Sequence, residues 1–492
     1  MLKKIRRGLA LLSFVLVTLL FLDFTGTIHQ WFGWMTNIQF LPAVLALNVV
    51  TVVVLILLTL LLGRVYCSVI CPLGILQDLI ARLGLKAKKN RYRYSPAHNV
   101  LRYGFLALFV MLLLAGFTSI AALIAPYSAF GRIASSLLAP LYGWGNNLLA
   151  LWAERSESYA FYQTEVWLRG VPVLVTATVT LVVVGVLAWR GGRTYCNTVC
   201  PVGTVLGFFS RFAWLRPVID TSKCNGCGLC ARNCKSACID PKQHQIDYSR
   251  CVACMDCLGK CHQGAIRYIH PTKGNAHPSA ATDAQGRRGF LGVSALLAST
   301  ALLKAQEKKV DGGLAAVSLQ SKPERQTPLV PAGAQGQKHF SQHCTACQLC
   351  VSVCPNQVLR PSTDLTHFMQ PEMSYERGYC RPECTRCSEV CPTDAIRLVD
   401  KAEKSSTQIG HAVWVKANCL VLKDHVMCGN CARHCPSGAI QMVPSDPENS
   451  HSLRIPVVDE ERCIGCGACE NLCPARPFSA IYVEGHERHK TI

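Results

Sequence analysis

The chain has 492 residues, 50% of them hydrophobic, a formal net charge of +20 and 29 cysteines. That length suits several domains. The cysteines stand in tight groups, which excludes the disulfide scaffold of a small secreted domain and favours ligation of metal or clusters by thiolates. The charge does not argue for a nucleic acid partner: its densest run, Lys86 to Tyr94, lies between two long apolar stretches, where Lys and Arg mark the cytoplasmic face and meet anionic lipid.

Four segments approach the roughly 20 apolar residues a bilayer crossing needs. They are Gly8 to Phe24, Phe40 to Leu62, Tyr103 to Ile124 and Val171 to Trp189. Lys3, Lys4, Arg6 and Arg7 precede the first; Arg64, Arg82, Lys86, Lys88, Lys89, Arg91, Arg93 and Arg102 follow the second. Residues 25–39 carry no Lys or Arg, and the loop before the fourth span balances Arg132, Arg155 and Arg169 with Glu154, Glu157 and Glu165. This asymmetry places the N-terminus inside. Ile133 to Trp152 is interrupted by Pro140, Gly143, Gly145 and paired asparagines, and reads as an interfacial or re-entrant segment on the outer face. His29, near Trp31 and Trp34 on that face, could accept a proton from a membrane-soluble donor; an aromatic belt with an incidental histidine is the plainer account.

The second and fourth spans run into nearly the same text, "GRVYCSVICPLG" at 63–74 and "GRTYCNTVCPVG" at 192–203. Cys67 and Cys71, like Cys196 and Cys200, are four apart and share a face if the helix continues. Pro72 and Pro201 end or kink it. Both copies emerge on the cytoplasmic side and could form one four-thiolate site. A metal or small iron–sulfur site, a redox disulfide, and close packing of small apolar residues all satisfy the pattern.

Six groups with ferredoxin spacing follow. The first block holds Cys224, Cys227, Cys230, Cys234 and Cys251, Cys254, Cys257, Cys261. The second holds Cys344, Cys347, Cys350, Cys354; Cys380, Cys384, Cys387, Cys391; Cys419, Cys428, Cys431, Cys435; and Cys463, Cys466, Cys469, Cys473. Three close cysteines wrap three corners of a cubane, and the fourth ligates the neighbouring cube in two-cluster ferredoxins. Groups should therefore pair, and six groups predict six [4Fe-4S] clusters; zinc would need separated C-x-x-C pairs. "VIDTSKC", "QIDYSRC" and "VVDEERC", leading into Cys224, Cys251 and Cys463, predict a short strand entering each ligand loop. Lys235 and His262 stand where proline follows the fourth cysteine in the second block. Cys238 is a spare, either replacing Cys234 as a ligand or a buried thiol.

Between the blocks, Arg287 to Ala305 has an arginine pair and a short Ala/Ser-rich apolar core, like a twin-arginine export signal, and reads as an uncleaved fifth membrane segment running outward. With two C-x-x-x-C-P motifs, four spans and a two-cluster ferredoxin, residues 1–270 resemble the NapH membrane ferredoxin-type family. "APYSAFGR" at 125–132 resembles the wider group that includes NosR and CcoG. Residues 287–492 resemble the exported four-cluster NapG family.

The resemblance implies a natural fusion: a quinol dehydrogenase module of the bacterial inner membrane, drawing on the quinone pool and feeding a periplasmic reductase or cytochrome c. The expected architecture is a multidomain membrane protein. A helical transmembrane bundle over 1–215 precedes an α+β bacterial-ferredoxin-like two-cluster domain over 216–270 in the cytoplasm. A linker over 271–338 carries the fifth anchor, and a four-cluster domain over 339–492 lies in the periplasm. A copper-reducing or assembly factor of the CcoG or NosR type is the competing reading, and the four-cluster block argues against it. No nucleotide fingerprint or hydrolytic constellation is visible.

Overall fold

The computed structural model describes residues 2–23, 25–86, 92–156, 161–164, 166, 170–270, 320–449 and 452–492. Phe24, the basic run at 87–91, Glu157, Glu165, Arg169 and the Arg287–Ala305 segment lie outside the described residues. The main helices are α1 (Leu2–Leu22), α2 (Phe40–Leu45), α3 (Val49–Leu62), α4 (Pro72–Lys86) and α5 (Asn99–Leu114). They continue as α6 (Thr118–Ile124), α7 (Pro126–Ile133), α8 (Ala139–Arg155), α9 (Val171–Gly191) and α10 (Pro201–Phe209).

Helices α1 and α9 are single helices long and apolar enough to cross a membrane. The other two expected spans are broken. Phe40 to Leu62 divides at Leu47, which has φ 53°, and Asn48 caps α3 by accepting from the Thr51 N–H at 3.1 Å. Tyr103 to Ile124 divides at Gly116, with φ 82°. Helix α6 then meets the α7–α8 run at 79°, the geometry of a broken span or re-entrant loop. Pro126 starts the new direction, and Arg132 holds the bend by donating to the carbonyls of Ala122 and Leu123, both at 3.0 Å. A π-turn at Ala134–Leu138 joins α7 to α8.

The helical unit wears its apolar residues outside. Val50, Val53 and Leu57 of α3, Met111 and Leu114 of α5, and Val175, Val179 and Val182 of α9 are all exposed, a surface suited to lipid. The threonines among them stay satisfied without water. Thr59, Thr176, Thr178 and Thr180 each donate to the carbonyl four residues back, at 2.7–2.8 Å.

The strands among the described residues make five two-stranded antiparallel sheets. Strand β1 (Arg216–Ile219) pairs with β4 (Ile266–Ile269) around β2 (Ile239–Asp240) with β3 (Gln245–Ile246). Strand β5 (Leu359–Pro361) pairs with β6 (Pro371–Met373), β7 (Thr407–Trp414) with β10 (Ile481–Thr491), and β8 (Ile440–Pro444) with β9 (Arg454–Val458). Strands β1, β3 and β9 lead into the loops of Cys224, Cys251 and Cys463, as the repeated text predicts. The linker ends earlier than 338. Arg325 is paired with both carboxylate oxygens of Glu470 at 2.5 and 2.7 Å, and Gln320 donates to the Glu470 carbonyl at 2.8 Å, so residues from 320 pack into the C-terminal unit.

The two small-sheet units sit at opposite ends of the helical unit. Residues 216–270 clasp the start of α1 and the two repeated motifs. Asp256 meets Arg7 at 2.7 Å and Lys3 at 3.3 Å. Lys235 reaches both Asp256, at 2.9 Å, and Asp78 of α4, at 3.1 Å, while Arg193 holds Asp78 at 2.8 Å. Lys235 thus replaces the expected proline because its ammonium ties the unit down. Gly192 must be glycine: its φ is +67°, and a Cβ there would stand 2.4 Å from the Lys235 carbonyl. Residues 320–492 dock on the other end, where Thr118 bonds the Ser341 carbonyl and Gln370. Gly131 lies so close to Cys347 that a Cβ would stand 2.2 Å from its carbonyl.

Burial alone would raise the Asp78 carboxyl, but Arg193 and Lys235 overrule it and hold the acid well below the usual carboxylate range. Asp78→Asn should leave buried cations uncompensated, costing about 3–5 kcal/mol. Limited proteolysis should then cut within 213–270 faster than in the native protein, with the C-terminal unit unaffected; an unchanged pattern would show that the clasp is not what holds this unit.

Candidate metal centres

The two repeats meet face to face. Each enters a one-turn helix, Val65–Val69 or Thr194–Thr198, so Cys67, Cys71, Cys196 and Cys200 all turn inward and are buried. The arginine of each repeat crosses to the other. The Arg64 guanidinium donates to the Cys196 carbonyl at 3.2 Å, and that of Arg193 to the Cys67 carbonyl at 2.7 Å. Each also approaches the first thiol of its own repeat at 3.9 Å. Gln77 reaches the Cys196 sulfur at 3.4 Å, and the Gly203 N–H points to the Cys200 sulfur at 3.4 Å. Four thiols, two fully buried guanidiniums and an amide therefore pack together as one buried group.

The ferredoxin groups interlock by pairs. One cavity, about 250 Å³, is lined by Cys224, Cys227 and Cys230 with Cys261 of the next group. A second is lined by Cys251, Cys254 and Cys257 with both Cys234 and Cys238. In the C-terminal unit Cys419, Cys428 and Cys431 join Cys473, and Cys463, Cys466 and Cys469 join Cys435. The remaining groups exchange likewise: burial, then Cys347, Cys344 and Cys391, raises Cys350. Burial, then Cys380 and Cys354, raises Cys387. Three thiols from one group and the fourth from its partner is the arrangement two neighbouring cubanes require. Among the described residues no three His, Cys, Asp or Glu side chains stand close enough to share a single metal ion, so the sets fit a multi-iron cluster better than zinc. The Ala265, Ile396 and Ala480 amides point to the sulfurs of the fourth cysteines Cys261, Cys391 and Cys473, at 3.3–3.4 Å. Burial pushes the Cys254, Cys347 and Cys466 thiols up to about 12, so ligation there must expel protons.

The spare Cys238 is buried with its sulfur 3.5 Å from that of Cys234. Its thiol is the main reason Cys234 falls to about 7, and it lowers Cys251 as well. It lies between Cys234 and Cys251 and lines the same cavity. His29 bonds Asp23 at 3.2 Å, with its other ring nitrogen buried and unpartnered. Trp31 and Trp34 beside it are exposed.

Comparison with known proteins follows this division. A model described as a 4Fe-4S binding domain matches residues 44–91 and 171–220, the two units that carry the repeats. A 4Fe-4S dicluster domain matches 343–395 and 426–476. The methylamine utilization ferredoxin-type protein MauM of Methylophilus methylotrophus is 32% identical over 163 residues, 32% of this chain and 70% of that protein. The ferredoxin-type protein NapG of Escherichia coli is 29% identical over 180 residues, 33% of this chain and 75% of that protein. The chain belongs to the ferredoxin-type family that includes MauM. An uncharacterized protein of Methanocaldococcus jannaschii is 27% identical over 233 residues, 46% of this chain and 72% of that protein. No solved structure matches the chain. This ferredoxin-type chain is thus an iron–sulfur electron-transfer protein with 4Fe-4S domains.

The charge count took Arg64 and Arg102 of this ferredoxin-type protein as markers of the cytoplasmic face, but both, like Arg193, are buried. The readable signal was the repeated Gly-Arg-x-Tyr-Cys, which ties the arginine to the thiols rather than to lipid. If Cys238 donates to cluster ligands, Cys238→Ala should keep its iron and lower the midpoint potential of one cluster, because a hydrogen bond to sulfur favours the reduced state. Redox titration followed by electron paramagnetic resonance reads this out, and loss of iron would instead make Cys238 a ligand.

Proposed function

We propose that this is a membrane-bound quinol dehydrogenase module, a NapH-like part fused to a NapG-like part, that passes electrons through six [4Fe-4S] clusters to a periplasmic reductase system or cytochrome c. The observation that carries the reading is the placement of interlocked thiol sets at both ends of one lipid-suited helical unit, with four further buried thiols near the inner end. The four crossings of the inner membrane, the cytoplasmic placement of 216–270 and the periplasmic placement of the C-terminal unit rest on the distribution of Lys and Arg.

A bound [4Fe-4S] cluster supplies one-electron transfer. The chain's own residues do the rest. Cys224, Cys227, Cys230 and Cys261, and the five sets like it, would hold the clusters. Buried apolar neighbours exclude water, and the amides of Ala265, Ile396 and Ala480 are aimed at ligand sulfur. Packing is continuous from end to end. Cys254 lies under the charge of Lys235 and Asp78, Gln77 of α4 touches Cys196, and Tyr195 donates to the Ile124 carbonyl at 2.7 Å. From there Arg132 and Gly131 lead to Cys347. Cys67, Cys71, Cys196 and Cys200 stand on that line and would hold a further iron–sulfur group. The crossing arginines and the inward thiols support this over packing alone.

Anaerobically purified protein should contain about 24 iron from six cubanes, with more if the four further thiols are loaded. A quinol analogue added to membranes without oxygen should bleach the cluster absorbance. No reduction by quinol, where dithionite succeeds, would remove the quinol dehydrogenase reading.

A further inference from the structure

We propose that the cavity between α1, the α7–α8 turn and the C-terminal unit binds the head group of a lipid-soluble quinone. The proposal rests on the quinol dehydrogenase reading and locates its substrate. The cavity measures about 670 Å³, within the range of roughly 300–1,000 Å³ usual for small-ligand sites. Phe21 at the end of α1, with Ser135 and Ala139 of the turn, lines one side; Cys354 and Tyr379 of the C-terminal unit line the other.

Three observations select a quinone. The first is electronic contact. Cys354 is in the wall itself, and it completes the set of Cys380, Cys384 and Cys387, so a ring in the cavity lies against a cluster ligand. The second is access from lipid. The outer face of α8 exposes Leu141, Trp144, Leu148 and Trp152, so an isoprenoid tail can lie along an apolar surface while the head group enters. The third is an unused polar group. The Ser135 hydroxyl is buried in the cavity wall with no hydrogen-bond partner. It can donate to a quinone carbonyl or accept from a quinol hydroxyl. Ser135 belongs to the π-turn, an irregularity frequent at functional sites.

The paired asparagines explain how the site is kept shaped. Asn146 donates to the Tyr162 carbonyl at 2.9 Å, and Asn147 exchanges two bonds with Thr164, each 2.8 Å. They pin the loop whose Tyr162 and Thr164 also line the cavity. In the reaction both O–H bonds of the quinol break, two electrons leave singly to the clusters and two protons pass to water. His29 does not line this cavity.

The test uses the full chain in lipid nanodiscs. Azido-substituted ubiquinone and menaquinone analogues should photolabel the peptides around 135–143 and 352–357, and labelling confined elsewhere would overturn the proposal. Ala139→Trp, which fills the cavity, should abolish reduction by quinol while dithionite still reduces the clusters fully. Ser135→Ala should weaken quinone binding about fivefold, the value of one hydrogen bond. If the native protein is reduced by quinol and both variants behave like it, the location is wrong although the quinol reading stands. If the native protein neither binds quinone nor accepts electrons from quinol, the reading beneath the proposal fails. If Ala139→Trp does not load iron, the photolabelled peptides decide.

Discussion

The exchange of guanidiniums between the two repeats holds the helical unit together near its inner end. Arg64 and Arg193 each donate to the carbonyl of the other repeat's first cysteine, so neither half can move without stranding a buried cation, at a cost of several kcal/mol. The arrangement is a near two-fold, and its departures from symmetry are informative. Arg193 has the carboxylate of Asp78, whereas Arg64, among the described residues, has only neutral acceptors, Asn197, Ser249 and Cys196. Where the first repeat has Asp78, the second has Gly207, and the space is taken by the guanidinium of Arg102. More positive than negative charge therefore packs against the four thiols.

The same asymmetry docks the first ferredoxin unit. Asp78 is shared with Lys235, and the Ser249 carbonyl accepts from both Arg64 and Arg102. The charges packed against the thiols are thus also those that seat residues 216–270 over them. At the other end the link is made by shape rather than charge. Helix α7 is buried along its whole length, its phenylalanine packs against Phe14 and Phe21, and Gly131 admits the Cys347 loop without a side chain between them. Long-lived electron carriers need fixed separations, and both ends achieve this with few exposed polar contacts.

The cysteine groups, the gathering of thiols across paired groups and the strands that lead into them were legible in the sequence, because ferredoxin spacing is local. What was not legible depended on distant partners. A count of Lys and Arg treats every cation as solvated, so it could not separate Lys4 from Arg64. The two repeats gave the position of the thiols but not the crossing of the arginines, which exists only when the halves face each other. Two spans read as continuous are interrupted, because hydropathy averages over Leu47 and Gly116 without seeing their positive φ. Lys235 was visible as a departure from the proline pattern, yet its reason lies in Asp78, far away in sequence.

The segment Ile133 to Trp152 shows why such departures matter. An apolar stretch intended only to cross or line a membrane would be a regular helix without asparagine, since every polar group there must find a partner. This one has a π-turn, a buried hydroxyl with none, and two asparagines spent on holding a loop. Each carries a cost in lipid-suited surroundings, and packing alone gives none of them a return. Ser135 and the asparagine-held Tyr162 and Thr164 line one cavity, whose wall also includes Cys354. Irregular backbone at membrane depth is tolerated where it lines a cavity, and here the cavity is the feature that the irregularity shapes.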